Sequence, residues 1–170
     1  MDLTRYIRDI PDFPKPGILF KDITPLLAEP RAFQYAIDQL AEHYSAEKVD
    51  VVAAAEARGF LFAAPLALRM NKPLVPLRKP GKLPHKTHAL RYELEYGSAE
   101  LQVHIDAVAP GARVLLTDDL LATGGTMEAS CRLLTQAGGE VIGCAFLIEL
   151  TFLGGRARLY PHEVFSLIAY

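Results

Sequence analysis

The sequence is short of several features that would commit it to a class at once. Its 170 residues hold two cysteines, Cys131 and Cys144. They form neither a metal-binding spacing nor a disulfide framework, which suits a reducing compartment. No apolar run approaches the roughly 20 residues that span a bilayer, and the first six residues lack the charged-then-apolar signature of a signal peptide. A soluble, cytoplasmic protein is expected, with no membrane partner. The net charge of −2 offers no general cationic surface for gripping nucleic acid. Two nucleotide signatures are missing as well: there is no G-x-x-x-x-G-K-[ST], and no G-x-G-x-x-G opens the first strand-turn-helix unit. The chain shows no internal repeat or low-complexity segment. At 51% hydrophobic residues it can bury one good core, so residues 1–170 are read as a single domain.

What is present is an alternation of strand and helix. Apolar spacing predicts helices over 30–44, 60–70 and 127–134, and apolar runs predict strands over 48–55, 74–77, 114–116, 140–149 and 164–169. That order implies an α/β fold, a mostly parallel sheet flanked by helices. Two additions interrupt it. Residues 91–96 and 100–105 alternate strictly about Gly97-Ser98 and predict an antiparallel hairpin. Residues 1–29 form an arm: a short helix over 2–10, a proline-rich stop, and an extended piece over 18–25 whose apolar side chains could wall a flat-ring pocket. Residues 150–158 are read as a loop.

The chemistry concentrates in Val114-Leu-Leu-Thr-Asp-Asp-Leu-Leu-Ala-Thr-Gly-Gly-Thr126. A buried strand leads to Asp118 and Asp119, then to a small-residue turn that opens a helix. Free N–H groups at a helix start suit a phosphate, and glycine lets the backbone come close to it. The carboxylates can accept hydrogen bonds from sugar hydroxyls or hold a hydrated cation. A second strand-turn-helix unit carries Glu56-Ala-Arg-Gly59, which puts Arg58 at a strand's carboxyl end, where open α/β sheets bind ligands. A surface arginine before a helix is the plainer alternative. The segment Arg78-Lys-Pro-Gly-Lys-Leu-Pro-His-Lys-Thr-His88 reads as a mobile, cationic loop that could close over a polyanion. His85 and His88 have no third ligand near them in sequence, so a metal site there is not expected. Glu95 on the hairpin is either a proton-transfer group or part of a solvated strand face.

Residues 114–126 resemble the phosphoribosyl pyrophosphate signature of type I phosphoribosyltransferases, and the Ala-Thr-Gly-Gly-Thr form is specific. Further blocks resemble the adenine-using members of that family over nearly the whole chain: Pro16-Gly-Ile-Leu-Phe-Lys-Asp-Ile-Thr-Pro25, Glu56-Ala-Arg-Gly-Phe60, Arg78-Lys-Pro-Gly-Lys-Leu-Pro84, Leu94-Glu-Tyr-Gly97 and Glu149-Leu-Thr151. Thr117 stands where an aliphatic residue is usual, and 85–91 do not match residue by residue.

The resemblance implies transfer of a 5-phosphoribosyl group from 5-phosphoribosyl 1-pyrophosphate to adenine, giving AMP and pyrophosphate through an oxocarbenium-like state, as in purine salvage. It implies catalytic roles for Asp118 and Asp119 at the ribose and for Glu95 in proton movement. Ala122, Thr123, Gly124, Gly125 and Thr126 would cup the 5′-phosphate. Arg58, Lys79 and Lys82 would neutralise pyrophosphate, with Tyr96 beside the loop. Leu19, Phe20, Lys21 and Leu150 would bound the base, and adenine would be chosen by backbone groups near Lys21. Residues 1–29 would be the hood over the base, and 78–105 the flexible loop with its hairpin. Mg2+ would come with the donor, held mainly by pyrophosphate and hydroxyls, with Asp118 and Asp119 acting through water or ribose. A homodimer is implied too. Three rivals stand beside this reading: the same fold using xanthine or hypoxanthine, a donor-sensing regulator that binds nucleic acid, and a plain structural module.

Overall fold

The computed structural model describes residues 1–45, 47–93 and 97–170. Five parallel strands form the central sheet: β3 (Val51–Ala55), β4 (Leu74–Leu77), β7 (Arg113–Leu121), β8 (Glu140–Glu149) and β9 (Glu163–Ala169), in the order β4-β3-β7-β8-β9. Strand residues alternate between two cores. Val52, Ala54 and Leu115 face α2 (Pro30–His43) and α3 (Gly59–Met70), packing with Leu40, Phe62 and Leu66. Val51, Ala53, Leu116 and Cys144 face α4 (Gly125–Gln136), packing with Met127, Cys131 and Leu134. A sheet buried on both faces needs apolar residues at successive positions, which is why Val-Val-Ala-Ala-Ala reads as a run.

The chain leaves β3 through α3 toward β4 on one side, and leaves β7 through α4 toward β8 on the other. The order therefore reverses between β3 and β7, and the crevice beyond their carboxyl ends is where such sheets take ligands. The turns after these two strands are 56–58 and 122–124, the segments singled out for chemistry.

Outside the sheet, β5 (Thr87–Glu93) pairs antiparallel with β6 (Ser98–His104), from Thr87 opposite His104 to Glu93 opposite Ser98. Leu101, Val103 and Tyr92 carry the hairpin onto the α4 side of the core. The arm adds a second antiparallel pair, β1 (Arg8–Pro11) with β2 (Leu19–Asp22).

Five boundaries differ from expectation. Residues 2–10 are not a helix. The Asp2 carboxylate caps the Thr4 N–H, closing one 3-10 turn over Leu3–Tyr6, and the backbone then joins β2 as a strand. The extended piece is shorter than expected, because Pro25 sits in the first turn of α1 (Thr24–Ala28), where its missing N–H costs nothing. Strand β7 does not stop before the acidic pair. Its ladder with β8 continues through Asp118 opposite Phe146 to Leu121 opposite Glu149, so both carboxylates stand on a central strand. Residues 150–158 hold a 3-10 turn, Thr151–Leu153, and the single turn α5 (Gly155–Arg158). The cationic loop also ends sooner, since Thr87 and His88 belong to β5.

Candidate active site

A cavity of about 320 Å³ opens at the reversal point, lined by Glu56, Ala57, Arg58, Asp118, Asp119 and residues 120–127. The last turn of β7 presents Asp118 and Asp119 to it. The Asp119 N–H donates to Asp118 Oδ1 at 2.8 Å, and the Arg58 Nε lies 3.0 Å from Asp119 Oδ2. Asp119 is buried while the Arg58 side chain is about half exposed, so the guanidinium reaches in from the rim. Burial, followed by the neighbouring Asp119 charge, holds the Asp118 carboxyl well above the usual carboxylate range. Gly59 makes room for it: a Cβ there would meet Asp118 Oδ1 at 2.9 Å.

Both helices that begin at the cavity begin without a side-chain cap. α3 starts after Arg58, and α4 starts after Gly124, whose φ of +83° is left-handed. α2, away from the site, is capped by Glu29, which accepts from the Arg31 N–H. The first-turn N–H groups of α4 thus meet the cavity with the positive end of the helix dipole behind them, an arrangement suited to a phosphate. Gly124 is also pressed from behind, since a Cβ on it would fall 2.8 Å from Gly155 O. The turn over 122–124 is therefore seated on α5.

Arg58, Asp118, Asp119, Ala122, Thr123, Gly124, Gly125 and Thr126 come together as the sequence predicts. Lys79 and Lys82 join them at the rim through Glu56, which accepts the Lys79 N–H at 2.7 Å and the Lys82 Nζ at 2.8 Å. Of the residues expected at the base, Phe20 lies under Arg58, with Cζ 5.6 Å from the ring centroid, and packs edge-on against Phe13. Leu19 is half exposed beside it. The Lys21 side chain is engaged elsewhere, 2.7 Å from Asp9 and 3.7 Å over the Tyr170 ring. Leu150 follows β8, and its N–H donates to Leu121 O, just before the 122–124 turn. Glu95 and Tyr96 lie outside the described residues. His85 is not at the cavity; its N–H donates to His104 Nε2 at 3.3 Å, and His88 sits in β5 opposite Val103. Among the described residues no group of three or more His, Cys, Asp or Glu could hold a metal ion.

Three contributors were not foreseen. Glu56 is buried under the cationic loop, although Glu-Ala-Arg-Gly could have flagged its carboxylate beside Arg58. The Tyr92 hydroxyl reaches to 3.4 Å from Thr126 Oγ1, joining hairpin and phosphate turn. Gly155 backs that turn, and nothing in its local sequence signals this.

With the geometry in view, comparison with known proteins is decisive. A family model described as the phosphoribosyl transferase domain matches residues 23–167. The adenine phosphoribosyltransferase of Rhodopirellula baltica is 59% identical over 170 residues, all of this chain and 82% of that one. The chain belongs to the adenine phosphoribosyltransferase family. The crystal structure of the Thermoanaerobacter pseudethanolicus member superposes with a TM-score of 0.96 at 54% identity, covering 99% of this chain and 98% of that one. The yeast member, from Saccharomyces cerevisiae, was crystallised with D-2,5-dideoxy-2,5-imino-altritol 1,6-bisphosphate and adenine. It superposes with a TM-score of 0.92 at 38% identity, covering 98% and 96% of the two chains. The fold is the type I phosphoribosyltransferase fold, and the chain is an enzyme of that family. Among the described residues no helix is long and apolar enough to cross a membrane.

Proposed function

We propose that this chain transfers the 5-phosphoribosyl group from 5-phosphoribosyl 1-pyrophosphate to adenine, releasing AMP and pyrophosphate in purine salvage, with the residue roles that follow. The observation that carries these roles is the meeting of three features in one cavity: the Asp118–Asp119 pair, the Arg58 guanidinium and the uncapped start of α4.

Ala122, Thr123, Gly124, Gly125 and Thr126 cup the 5′-phosphate with backbone N–H groups. Asp118 and Asp119 accept hydrogen bonds from the ribose hydroxyls. As pyrophosphate leaves, carbon 1 of the ribose gains positive charge in an oxocarbenium-like state. Fixed carboxylates close by favour that charge more than the ground state, which is what lowers a barrier. Desolvation and the adjacent Asp119 make ionising Asp118 costly, so its charge is most favourable when the cationic centre forms beside it.

Arg58, Lys79 and Lys82 offset the charge of departing pyrophosphate, and the 78–86 loop keeps water from the reactive carbon. Phe20, Leu19 and Leu150 supply apolar contact to the base, and adenine is selected by backbone groups of β2 at Lys21. That assignment fits a Lys21 ammonium already held by Asp9 and Tyr170. Glu95, outside the described residues, assists proton movement at the purine, and Tyr96, also outside them, is assigned beside the flexible loop. The donor set at the cavity suits magnesium: Asp118 and Asp119 are hard oxygen ligands, able to hold the hydrated ion through water or ribose hydroxyls. When bound with the donor, Mg2+ neutralises pyrophosphate charge. The proposal includes one domain over 1–170, with 1–29 as hood and 78–105 as loop and hairpin. It also includes a cytoplasmic homodimer.

A panel of adenine, hypoxanthine and xanthine with a labelled ribosyl donor, run with and without magnesium, tests the reading. Rapid turnover is expected with adenine and magnesium only. Preference for a 6-oxopurine would overturn the base assignment.

A further inference from the structure

Glu56 stands between β3 and Arg58, with its side chain only 7% exposed. Its side-chain partners among the described residues all come from the loop after β4. The Lys79 N–H donates to Oε1 at 2.7 Å, Arg78 Nε approaches the same oxygen at 3.3 Å, and the Lys82 ammonium donates to Oε2 at 2.8 Å. Two of these three cannot easily leave. The Lys79 N–H is main chain, and Arg78 is pinned in both directions to the hairpin, its N–H donating to Gln102 O and its O accepting from Gln102 N–H. The Lys82 ammonium ends a flexible four-carbon stem and is about half exposed. It is the partner free to change hands.

The anion that would claim it is the pyrophosphate of the donor, which needs cationic donors at the rim Glu56 already occupies. We infer that Glu56 is a positioning residue that competes with pyrophosphate for Lys82, and so sets the affinity for both the donor and the departing product. Before the donor arrives, Glu56 draws the loop to the cavity and keeps Lys82 aimed at it. On binding, the ammonium passes to phosphate oxygens, while the Lys79 N–H and Arg78 stay on Glu56 and spare it from being a buried charge without partners. After transfer the carboxylate takes Lys82 back, which loosens the hold on pyrophosphate. Burial pushes the Glu56 carboxyl up, but the Lys82 and Lys79 hydrogen bonds and the nearby cations outweigh it and leave it below its usual range. The competing charge is therefore present throughout neutral pH. The inference rests on the proposed role of Lys82 toward pyrophosphate.

Glu56→Gln keeps an oxygen for the Lys79 N–H and removes the charge that holds Lys82. The test measures the inhibition constant of magnesium pyrophosphate and the KM for the ribosyl donor in wild type, Glu56→Gln, Lys82→Ala and the double variant, with thermal melting to confirm folding. Glu56→Gln should tighten both constants about two- to fivefold, the scale of a partly exposed ion pair, and the gain should vanish when Lys82 is alanine. Unchanged or weaker pyrophosphate inhibition in folded Glu56→Gln overturns the inference, as does a gain that survives loss of Lys82. Should Glu56→Gln not fold, Glu56→Asp, whose carboxylate is drawn one methylene back from Lys82, is expected to shift the constants the same way, and its failure to do so counts equally against it. Wild-type constants in Lys82→Ala would instead sink the role of Lys82 itself. A weakened Lys82→Ala beside an unchanged Glu56→Gln sinks the competition alone.

Discussion

Replacing Gly155 by alanine puts the proposed phosphate turn to a quantitative test. A methyl carbon built on Gly155 would press into Ala122 O, with Leu121 Cδ1 at 3.0 Å and the Ala122 carbonyl carbon at 3.2 Å. These neighbours include main chain, so they cannot rotate aside. Restoring ordinary contact distances requires α5 or the 122–124 turn to move by on the order of 1 Å. The turn is the softer of the two on its cavity side, whereas Arg156 anchors α5 to Glu149 and to Val164 O. A displacement on the order of 1 Å at a group that positions substrate is worth up to about 100-fold. The KM for the ribosyl donor is therefore expected to rise about ten- to a hundredfold, with a much smaller change in KM for adenine. Gly154→Ala is the control. Its φ of +66° strains any other residue, yet a Cβ there meets nothing within 4 Å. It should cost about 1–2 kcal/mol of stability, roughly 2–8 °C in melting temperature for a chain of this size, and leave donor KM alone. Steady-state kinetics with both substrates and a melting curve decide the matter. Wild-type donor KM in folded Gly155→Ala would refute the claim that α5 sets the turn.

Asp118→Asn should lower turnover by about 10²–10³, as loss of one transition-state group does elsewhere, while making the protein more stable. The raised carboxyl of Asp118 means that its ionisation above the usual carboxylate range costs folding free energy, so the gain in melting temperature should be clear at pH 8 and fade toward pH 4, where the wild-type group is protonated too. Near-wild-type turnover, or a melting gain independent of pH, would count against this. Glu149 behaves oppositely. Its hydrogen bonds with Arg156, offset in part by burial and reinforced by Ser166, hold its carboxyl below the usual range, so its contribution is full above the unfolded-state pKa and is lost as pH falls through the folded-state value. Glu149→Gln should cost about 1–2 kcal/mol at pH 7 and converge on wild type near pH 3 in denaturant titrations; a gap that persists in acid would refute it.

The parts of the fold that proved legible were those where one local rule acts alone. Strand β4 was readable because Leu74-Val-Pro-Leu77 is a short apolar run between turn residues, and α2 because its apolar residues repeat at helical spacing on one side. The arm was misread because Leu3, Tyr6, Ile7 and Ile10 satisfy a helical pattern on paper, while the partner that draws Arg8 to Pro11 into a strand, β2, lies beyond the proline-rich stop. No window of sequence contains that pairing. The same reasoning explains residues 150–158: two adjacent glycines read as a loop, but Gly155 is required because main chain from 33 positions earlier passes where a side chain would sit.

The site itself was legible for a different reason. Its residues break the rules that govern the rest of the chain, and the breaks are visible in the letters. Adjacent aspartates on a central strand and a helix opened by Gly-Gly with no capping side chain each cost stability unless something else meets them. The phosphorylated, hydroxyl-bearing and transiently cationic donor proposed above would meet both. The base is less legible because its pocket breaks no rule. Phe20, Leu19 and Leu150 are ordinary apolar neighbours, and the Lys21 side chain is spent on Asp9 and Tyr170. Selection by the β2 backbone, as proposed, has no side chain to declare it. That is why the resemblance over the whole chain, and not any single residue, carries the assignment of adenine.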